Sequence, residues 1–228
     1  MNKYLEILQM FVGQDDLRPA MTVPNIGNEY ASATDAHALV FFDKSLLPEN
    51  TVFETDFGEK LKYPDIQRFI ELEDICNNRL DLQKVNDIIS KCPLIEDFDE
   101  EEKEDTCNEC DGSGEVTYTY EDSKYKDHEL DGECPICEGF GKCTQTIEKP
   151  NGKMVKNNEY YLQCGISYLS VFMIEKLLKV QQIIGGDISI VNQTYPNKEI
   201  LFKVGDIKVL IMPLMRDEVS EYCLGNIA

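Results

Sequence analysis

Residues 15–42 read DDLRPAMTVPNIGNEYASATDAHALVFF, and this stretch decides the fold of the first half of the chain. Apolar and β-branched residues alternate with turn residues there, which predicts extended segments at about 20–24, 28–34 and 37–43. Pairs such as Gly27-Asn28 supply the turns between them. Short strands joined by tight turns favour an antiparallel sheet.

The elements on either side of this stretch are predicted from periodicity. An amphipathic helix is expected over about 3–13, because Leu5, Leu8 and Phe11 fall at helical spacing. Later elements are a fourth strand at about 51–55, a short helix within 63–70, and a helix at 81–90 that Asp81 caps.

The last third of the chain repeats this order of elements. A strand is predicted at about 159–164, a long apolar helix at 168–182, and then strands at 187–193, 199–204 and 207–212. Asn151-Gly152 predicts a hairpin turn just before them. Helix followed by three strands therefore occurs twice, which indicates a weak internal repeat.

Composition and charge bound the function. A chain of 228 residues with 42% hydrophobic residues can bury a core as one large or two small domains. The N-terminus lacks the features of a signal peptide, and no run of 18 apolar residues predicts a membrane span, so a cytoplasmic protein without membrane contact is expected. In that compartment nine cysteines are free thiols or metal ligands.

The net charge of −21 is concentrated in the middle of the chain. Residues 96–145 hold 18 Asp and Glu against four Lys, a net charge of −14. Such a charge excludes a protein that binds nucleic acid through its whole surface. Eight acids in the ten residues 96–105 predict a solvated, flexible linker.

Two copies of Cys-x-x-Cys-x-Gly-x-Gly follow this acidic run. CNECDGSG at 107–114 and CPICEGFG at 134–141 supply four thiols, those of Cys107, Cys110, Cys134 and Cys137. Two such knuckles can close a tetrahedral shell of four sulfurs around one structural Zn²⁺, and the glycines permit the tight turns. The segment between them predicts a β-hairpin arm. A redox dithiol pair and an iron–sulfur cluster are the alternatives to this site. Cys143 and His128 could replace one of the ligands, but the four well-spaced cysteines make them unnecessary.

The paired motif resembles half of the cysteine-rich domain of J-domain co-chaperones, which binds two zinc ions with four repeats. The likeness covers about 106–145. A His-Pro-Asp signature is missing from the sequence, so the resemblance does not imply a co-chaperone.

Three patches outside the cysteine segment resemble the bacterial sliding clamp, the beta subunit of DNA polymerase III. ATDAHAL at 33–39 is similar to the clamp's Ala-Thr-Asp-Gly-His-Arg-Leu. YPDIQRF at 63–69 is similar to Phe-Pro-Asp-Tyr-x-Arg-Val, and VLIMPL at 209–214 to the C-terminal Val-Val-Met-Pro-Met strand.

This resemblance implies an α+β fold: one DNA-clamp-like domain of two half-domains, each a helix with antiparallel strands, carrying a small zinc-binding β-hairpin module. The clamp-like domain is expected at 1–95 and 146–228, the acidic linker at 96–105, and the zinc-binding insertion at 106–145. A ring of this fold needs six such domains. One domain per chain therefore implies a homo-oligomer if DNA is encircled, and DNA is a partner only for such an oligomer.

In the clamp family the three patches line an apolar cleft that receives short peptides from polymerases and other partners. Carried over by motif, the candidate peptide-binding residues are Thr34, Ala36, His37, Leu39, Pro64, Arg68, Phe69, Leu210, Met212, Pro213 and Leu214. Ala36 replaces the family's glycine and Ala38 its arginine, which puts peptide binding in doubt. The alternative is that these residues are strand core.

The sequence favours a binding protein over an enzyme. It contains no P-loop and no Gly-x-Ser-x-Gly, and its two histidines form no catalytic pattern. A clamp-like module linked to DNA replication or mobile-element DNA metabolism through protein contacts is the first hypothesis. A zinc-dependent, chaperone-like adaptor that binds clients through the insertion is the second, and a thiol–disulfide oxidoreductase is the third.

Overall fold

A computed structural model describes residues 2–14, 17–53, 63–216 and 220–228. The chain forms two compact units, residues 1–93 with 156–228 and residues 94–155. The helices are α1 (Lys3–Met10), α2 (Gln67–Ile70), α3 (Leu82–Ile89) and α4 (Val171–Ile184). The strands are β1 (Asn25–Ile26), β2 (Tyr30–Thr34), β3 (Ala38–Asp43), β4 (Asn78–Arg79), β5 (Leu94–Thr106), β6 (Glu115–Glu121), β7 (Asp127–Glu133), β8 (Lys142–Lys156), β9 (Tyr161–Cys164), β10 (Ser167–Ser170), β11 (Ile188–Asn192), β12 (Ile200–Val204), β13 (Ile207–Ile211) and β14 (Cys223–Asn226). The fold is α+β.

The larger unit is built on a seven-stranded sheet in which six strands are mirrored about the β3–β13 pair and β4 is added at one edge. The order is β1-β2-β3-β13-β12-β11-β4, and the pairings are antiparallel. Helix α1 with β1, β2 and β3 forms one half, and α4 with β11, β12 and β13 forms the other. The halves meet where Leu39 pairs with Leu210. The internal repeat predicted from the order of elements is thus confirmed.

One face of this sheet carries the main core. Phe42 of β3 and Phe202 of β12 point to the side where Ile7 of α1 and Ile174 of α4 are buried. Side chains of successive strand residues point to opposite faces, so the alternation of the strands places one set under the helices. Both helices therefore cover the same face of the sheet.

The opposite face carries a second, smaller apolar cluster. Leu39, Phe41 and Leu210 lie there, together with Val191 and Leu201, and all five are buried. The segment around α2 covers them with the half-buried side chains of Ile66, Phe69, Ile70 and Leu72. The sheet therefore lies between two helices on one side and a short chain segment on the other.

A three-stranded sheet of order β10-β9-β14 completes the larger unit. Strand β14 runs parallel to β9, and α3 packs against β14. The side chain of Asp81 accepts hydrogen bonds from the N–H groups of Gln83 and Lys84, so it caps α3 as the sequence predicts.

Several predicted boundaries in this unit are wrong. Residues 19–21 form a 3₁₀ helix rather than part of a strand, because Pro19 fixes the backbone at its start. Residues 168–170 belong to β10 and not to the helix that follows, since they pair with β9. Of the strand expected at 51–55, residues 51–53 are not extended in a sheet, and 54–55 lie outside the described residues.

The smaller unit consists of two antiparallel ribbons. Strands β5 and β8 pair in one, and β6 and β7 form the hairpin predicted between the cysteine motifs. Residues 96–105, expected as a linker, lie inside β5. Their exposed carboxylates find partners on β8: the Lys149 ammonium contacts Glu101, and the Asn151 amide donates to Asp97 and Asp99 at 2.8 and 2.9 Å.

Strand β8 also changes the expected domain boundary. It continues to Lys156, so residues 146–155 belong to the smaller unit rather than to the body. Asn151-Gly152 makes no hairpin turn. Gly152 takes a φ of 75° within the strand, and the Asn151 side chain accepts a hydrogen bond from the Lys153 N–H.

The turn between β2 and β3 is stabilised by its own side chains. The Asp35 carboxylate accepts hydrogen bonds from the N–H groups of His37 and Ala38 at 3.0 and 2.8 Å. The Thr34 hydroxyl donates to the Ala38 carbonyl. Ala36 between them has a φ of 73°, in the left-handed region that favours glycine. The glycine of the clamp motif stands at the position where this turn requires it.

We predict that Ala36→Gly stabilises the protein. A left-handed alanine costs about 1–2 kcal/mol, and glycine returns part of that gain as unfolded-chain entropy, which leaves about 0.5–1 kcal/mol. Denaturant unfolding monitored by circular dichroism measures the change. Ala38→Gly, two residues later in regular β3, is the matched control and is expected to destabilise. Equal destabilisation by both variants would contradict the proposed strain.

Candidate metal centre and partner-binding residues

The two cysteine motifs fold into equivalent knuckles that face each other. In the first, Gly114 N–H donates to Cys110 Sγ at 3.3 Å, and in the second, Gly141 N–H donates to Cys137 Sγ at 3.2 Å. These N–H groups point at sulfur from the same position of each motif. The repeat in sequence is therefore a repeat in structure.

Glycine is required where the knuckles touch. The Cys107 N–H donates to the Gly141 carbonyl, and the Cys134 N–H donates to the Gly114 carbonyl. A Cβ on Gly114 would lie 2.2 Å from the carbonyl oxygen of Gly139, and one on Gly141 would lie 2.3 Å from that of Gly112. These distances are far below van der Waals contact, so the reciprocal contact excludes any side chain at either position.

The four sulfurs have the spacing of a metal site. Cys107, Cys110, Cys134 and Cys137 are buried, and their Sγ atoms all lie within 4.8 Å of one another. Two of the sulfur–sulfur distances are 3.8 and 3.7 Å. A tetrahedron with metal–sulfur bonds of about 2.3 Å has edges of about 3.8 Å. The donor set and its size thus fit a divalent cation held by four thiolates.

As free thiols, Cys107 and Cys137 have pKa values that are shifted in opposite directions. Burial raises the pKa of Cys107, but hydrogen bonds from the N–H groups of Cys110 and Glu109 outweigh it and bring that pKa down to about 6. Burial raises the pKa of Cys137 to about 12, to which hydrogen bonds with neighbouring thiols contribute. A cation in the centre would replace the shared protons and favour the thiolate at every position.

The other cysteines and His128 lie outside this shell. Cys143 is half-buried and packs against the cluster as a neighbour. His128 Nε2 lies 3.0 Å from the Asp122 carboxylate, and this contact lowers the pKa of Asp122. Burial raises the pKa of Cys164 to about 12. Among the described residues, none of these groups belongs to the cluster of four sulfurs.

We predict that the chain binds about one metal ion, expected to be zinc, and that Cys110→Ser abolishes stoichiometric binding because the four-sulfur shell cannot close. Elemental analysis of the purified chain gives the metal content, and amide hydrogen exchange gives the order of residues 94–155. Cys223→Ser, a half-buried thiol of the larger unit, is the control and should leave both unchanged. Full metal content in the Cys110→Ser variant would contradict the assignment.

The contact between the knuckles gives a second prediction. Gly114→Ala should reduce the metal content strongly, because its Cβ cannot be placed 2.2 Å from the Gly139 oxygen. Gly152→Ala serves as the control, since that glycine also has a positive φ, of 75°, but nothing within 4 Å of a Cβ. It should cost only about 1 kcal/mol of backbone strain and keep the metal. Similar loss in both variants would show that backbone conformation, not the knuckle contact, is limiting.

The structure brings part of the expected peptide-binding set together on the second face of the sheet. Leu39 and Leu210 pair directly, and Phe69 packs over them. The Arg68 guanidinium lies 4.3 Å from the centre of the Phe69 ring. The Met212 N–H donates to the His37 carbonyl at 2.8 Å, so the β2–β3 turn meets the end of β13.

The remaining members of the set are dispersed or buried. Leu39 and Leu210 are only 3% and 2% exposed. Thr34 is buried and uses its hydroxyl within its own turn. The Leu214 N–H pairs with the Tyr168 carbonyl, away from Pro64, which lines a depression of about 460 Å³ beside Tyr30 and Ile70. The apolar centre of the implied cleft is thus covered by this chain's own residues.

The residue before Pro64 is a further buried polar group that the sequence does not single out. Burial raises the pKa of the Tyr63 hydroxyl to about 12. The same depression is lined by Tyr63 together with Ile66 and Gln67. Tyr63 therefore lies at the start of the segment that covers the second face of the sheet, with its hydroxyl buried.

No family model matches the sequence, and no curated protein matches it. Solved structures that are similar to this chain include sliding clamps. The clamp of Bacillus subtilis is 12% identical with a TM-score of 0.49, and the match covers 95% of this chain and 62% of that one. The clamp of Bartonella birtlesii bound to griselimycin is 11% identical with a TM-score of 0.48, and the match covers 94% of this chain and 64% of that one. The clamp of Pseudomonas aeruginosa with ligand is 14% identical with a TM-score of 0.46, and the match covers 94% of this chain and 64% of that one. This chain spans less than two thirds of the length of each.

Among the described residues, no helix combines the length and the apolar character needed to span a bilayer.

Proposed function

We propose that this chain is a non-enzymatic, clamp-like binding module that serves DNA replication or mobile-element DNA metabolism through protein contacts. The observation that carries the proposal is the mirrored sheet, with α1 and α4 on one face and the three clamp-like sequence patches at fixed places around β3, α2 and β13. Two half-domains, each a helix with antiparallel strands, are the arrangement that the sequence resemblance implies. The cytoplasm, where thiols stay reduced, is the compartment that suits it.

The metal centre supports a structural role within this module. We propose one Zn²⁺, held by Cys107, Cys110, Cys134 and Cys137, as the cation that suits a tetrahedral four-thiolate shell. When bound, it would cross-link two knuckles of a unit that has little other core. Four protein ligands fill the shell, which leaves no position for a reacting water and supports a binding protein rather than an enzyme.

The helices give little support for direct DNA binding by a single chain. Lys176 of α4 pairs with Asp35, and Lys3 of α1 lies over the ring of Tyr4. Lys179 is exposed on α4. These two helices carry three lysines, one of them paired, and against a net charge of −21 they make a weak phosphate-binding surface. Encirclement of DNA would therefore require assembly of several copies.

We further propose that a partner peptide docks along the exposed edge of the second sheet face. Met212 is 40% exposed, and His37 and Arg68 are exposed beside the buried Leu39 and Leu210. The exposed side chains would make the contact and the buried pair would support them. An apolar side chain flanked by a few polar anchors is the chemistry that short peptides bind.

A labelled peptide from the clamp-binding segment of a bacterial replicative polymerase tests this proposal. We predict that it binds the full chain and that Met212→Asp weakens binding by about tenfold, because a carboxylate replaces an apolar contact. Fluorescence anisotropy measures the affinity. Met215→Asp, at a 76% exposed methionine three residues later, is the matched control and should leave the affinity unchanged.

Two results would contradict the proposal. The peptide fails to bind the wild-type chain, or both aspartate variants bind it as the wild type does. Native mass spectrometry of the same samples gives the number of copies per particle. A monomer excludes a closed ring formed by this chain alone, and a hexamer supports one.

A further inference from the structure

The hairpin of β6 and β7 has two faces of opposite chemistry. Its register pairs Tyr118 with Leu130 and Tyr120 with His128, so these four side chains lie on one face. The residues between them lie on the other face. That face contains two threonines and six carboxylates, those of Glu115, Glu121, Asp127, Glu129, Asp131 and Glu133.

The aromatic face is exposed and ordered by local contacts. Tyr118, Tyr120 and Leu130 are 42%, 56% and 61% exposed, so a large apolar surface faces solvent on a two-stranded sheet. The Tyr118 hydroxyl donates to the Glu133 carbonyl at 2.8 Å. The ring of Tyr120 stacks on His128 with centroids 5.2 Å apart. Aromatic rings that are held in place by local contacts and remain about half exposed are typical of a contact surface.

The smaller unit exposes further apolar and aromatic side chains outside the hairpin strands. Tyr125, in the loop that joins the two strands, is 87% exposed. Ile136 and Phe140 of the second knuckle are 64% and 81% exposed. The equivalent positions of the first knuckle are Glu109 and Ser113, which are polar. The apolar side chains are thus confined to one knuckle of an otherwise symmetric pair, which indicates a use other than metal binding.

Charge decides which partner fits this face. Residues 94–155 carry 19 Asp and Glu against six Lys, a net charge of −13. The carboxylates lie on the reverse side of a single-layer ribbon, within the Debye length of about 8 Å at physiological salt. They give the aromatic face a negative potential. A nucleic acid or a second copy of this chain would be repelled there.

We infer that the aromatic face of the β6–β7 hairpin is a docking surface for an arginine- and lysine-rich segment of a partner protein. Guanidinium groups stack on tyrosine rings, and the carboxylates of the reverse face attract cations across the thin ribbon. An arginine-rich strand can therefore use the rings by direct contact and the acids by long-range attraction. Apolar side chains of the same segment would cover Leu130. This surface is separate in sequence from the residues proposed for the polymerase peptide.

The test uses the full chain in its metal-loaded form and a short fluorescent peptide in which arginine alternates with leucine. We predict binding that weakens as salt is raised, and a loss of about tenfold in affinity for the double variant Tyr120→Ser with Leu130→Ser. Asp127→Asn with Glu129→Gln should weaken binding several-fold and flatten its salt dependence. Tyr195→Ser, at a 62% exposed tyrosine of the larger unit, is the control for loss of an exposed ring.

Metal content verifies that each variant keeps its fold, because the hairpin connects the two knuckles. If the double variant loses metal, hydrogen exchange of the wild-type chain decides instead: the peptide should protect amides of residues 115–133. A matched peptide with glutamate in place of arginine should not bind.

Several outcomes would overturn the inference. The arginine peptide fails to bind the wild-type chain, or the hairpin variants and the wild type bind it equally well. The peptide protects only amides outside residues 115–133, or single-stranded DNA binds the chain more tightly than the peptide does. Self-association that the double variant abolishes would identify a second copy as the occupant and would equally refute the proposal. Met212→Asp should leave the arginine peptide bound, so failure here and failure of the proposed function are distinguishable.

Discussion

The pairing of β3 with β13 is the constraint on which the larger unit depends. These strands are separated by more than half of the chain, yet Leu39 lies opposite Leu210 and Val40 opposite Val209. Each pair serves a different face: Val40 and Val209 belong to the core under the helices, and Leu39 and Leu210 to the cluster beneath α2. A register shift of one residue would exchange the two sets, so both cores fix the same register. The mirrored order of the outer strands follows from this central pair.

Closing this pair over such a sequence distance is possible because the intervening chain folds locally. The segment between the halves contains a unit whose own closure depends on four sulfurs and on two glycine contacts, not on apolar burial. Its long ribbon, β5 with β8, lies between Pro93 and Asn157 in the sequence. The Asn157 N–H donates to the Pro93 carbonyl at 2.8 Å. The residues of the larger unit that precede and follow the smaller one in sequence are thus neighbours in space, and the seven strands of the main sheet all belong to the larger unit.

The sequence predicted the elements whose signals are local. Asp81 caps its helix, and the four cysteines converge, because cap chemistry and ligand spacing act over a few residues. The acidic run at 96–105 was misjudged since Asp and Glu disfavour strands, and only the partner strand, with Lys149 and Asn151, compensates for them. Asn151-Gly152 failed as a turn signal for the same reason: pairing with β5 keeps the chain extended through it. The motif patches identified residues around the second sheet face, but not that Phe69 and its neighbours cover it, which depends on tertiary packing.

The two surfaces proposed for partners differ in how they would recognise them. On the second sheet face, Leu39 and Leu210 are already desolvated by this chain, so a peptide gains contact only at the rim around Met212, and the surface favours selectivity over affinity. On the hairpin, the rings of Tyr118 and Tyr120 are held by hydrogen bonding and stacking while they remain exposed, so a partner that covers them loses little side-chain entropy. Carboxylates on the reverse face add long-range attraction for cations without being buried themselves. On the hairpin, the preorganised rings would supply the binding affinity and the unburied carboxylates would raise the association rate. The hairpin is therefore the stronger candidate for first contact with a basic partner.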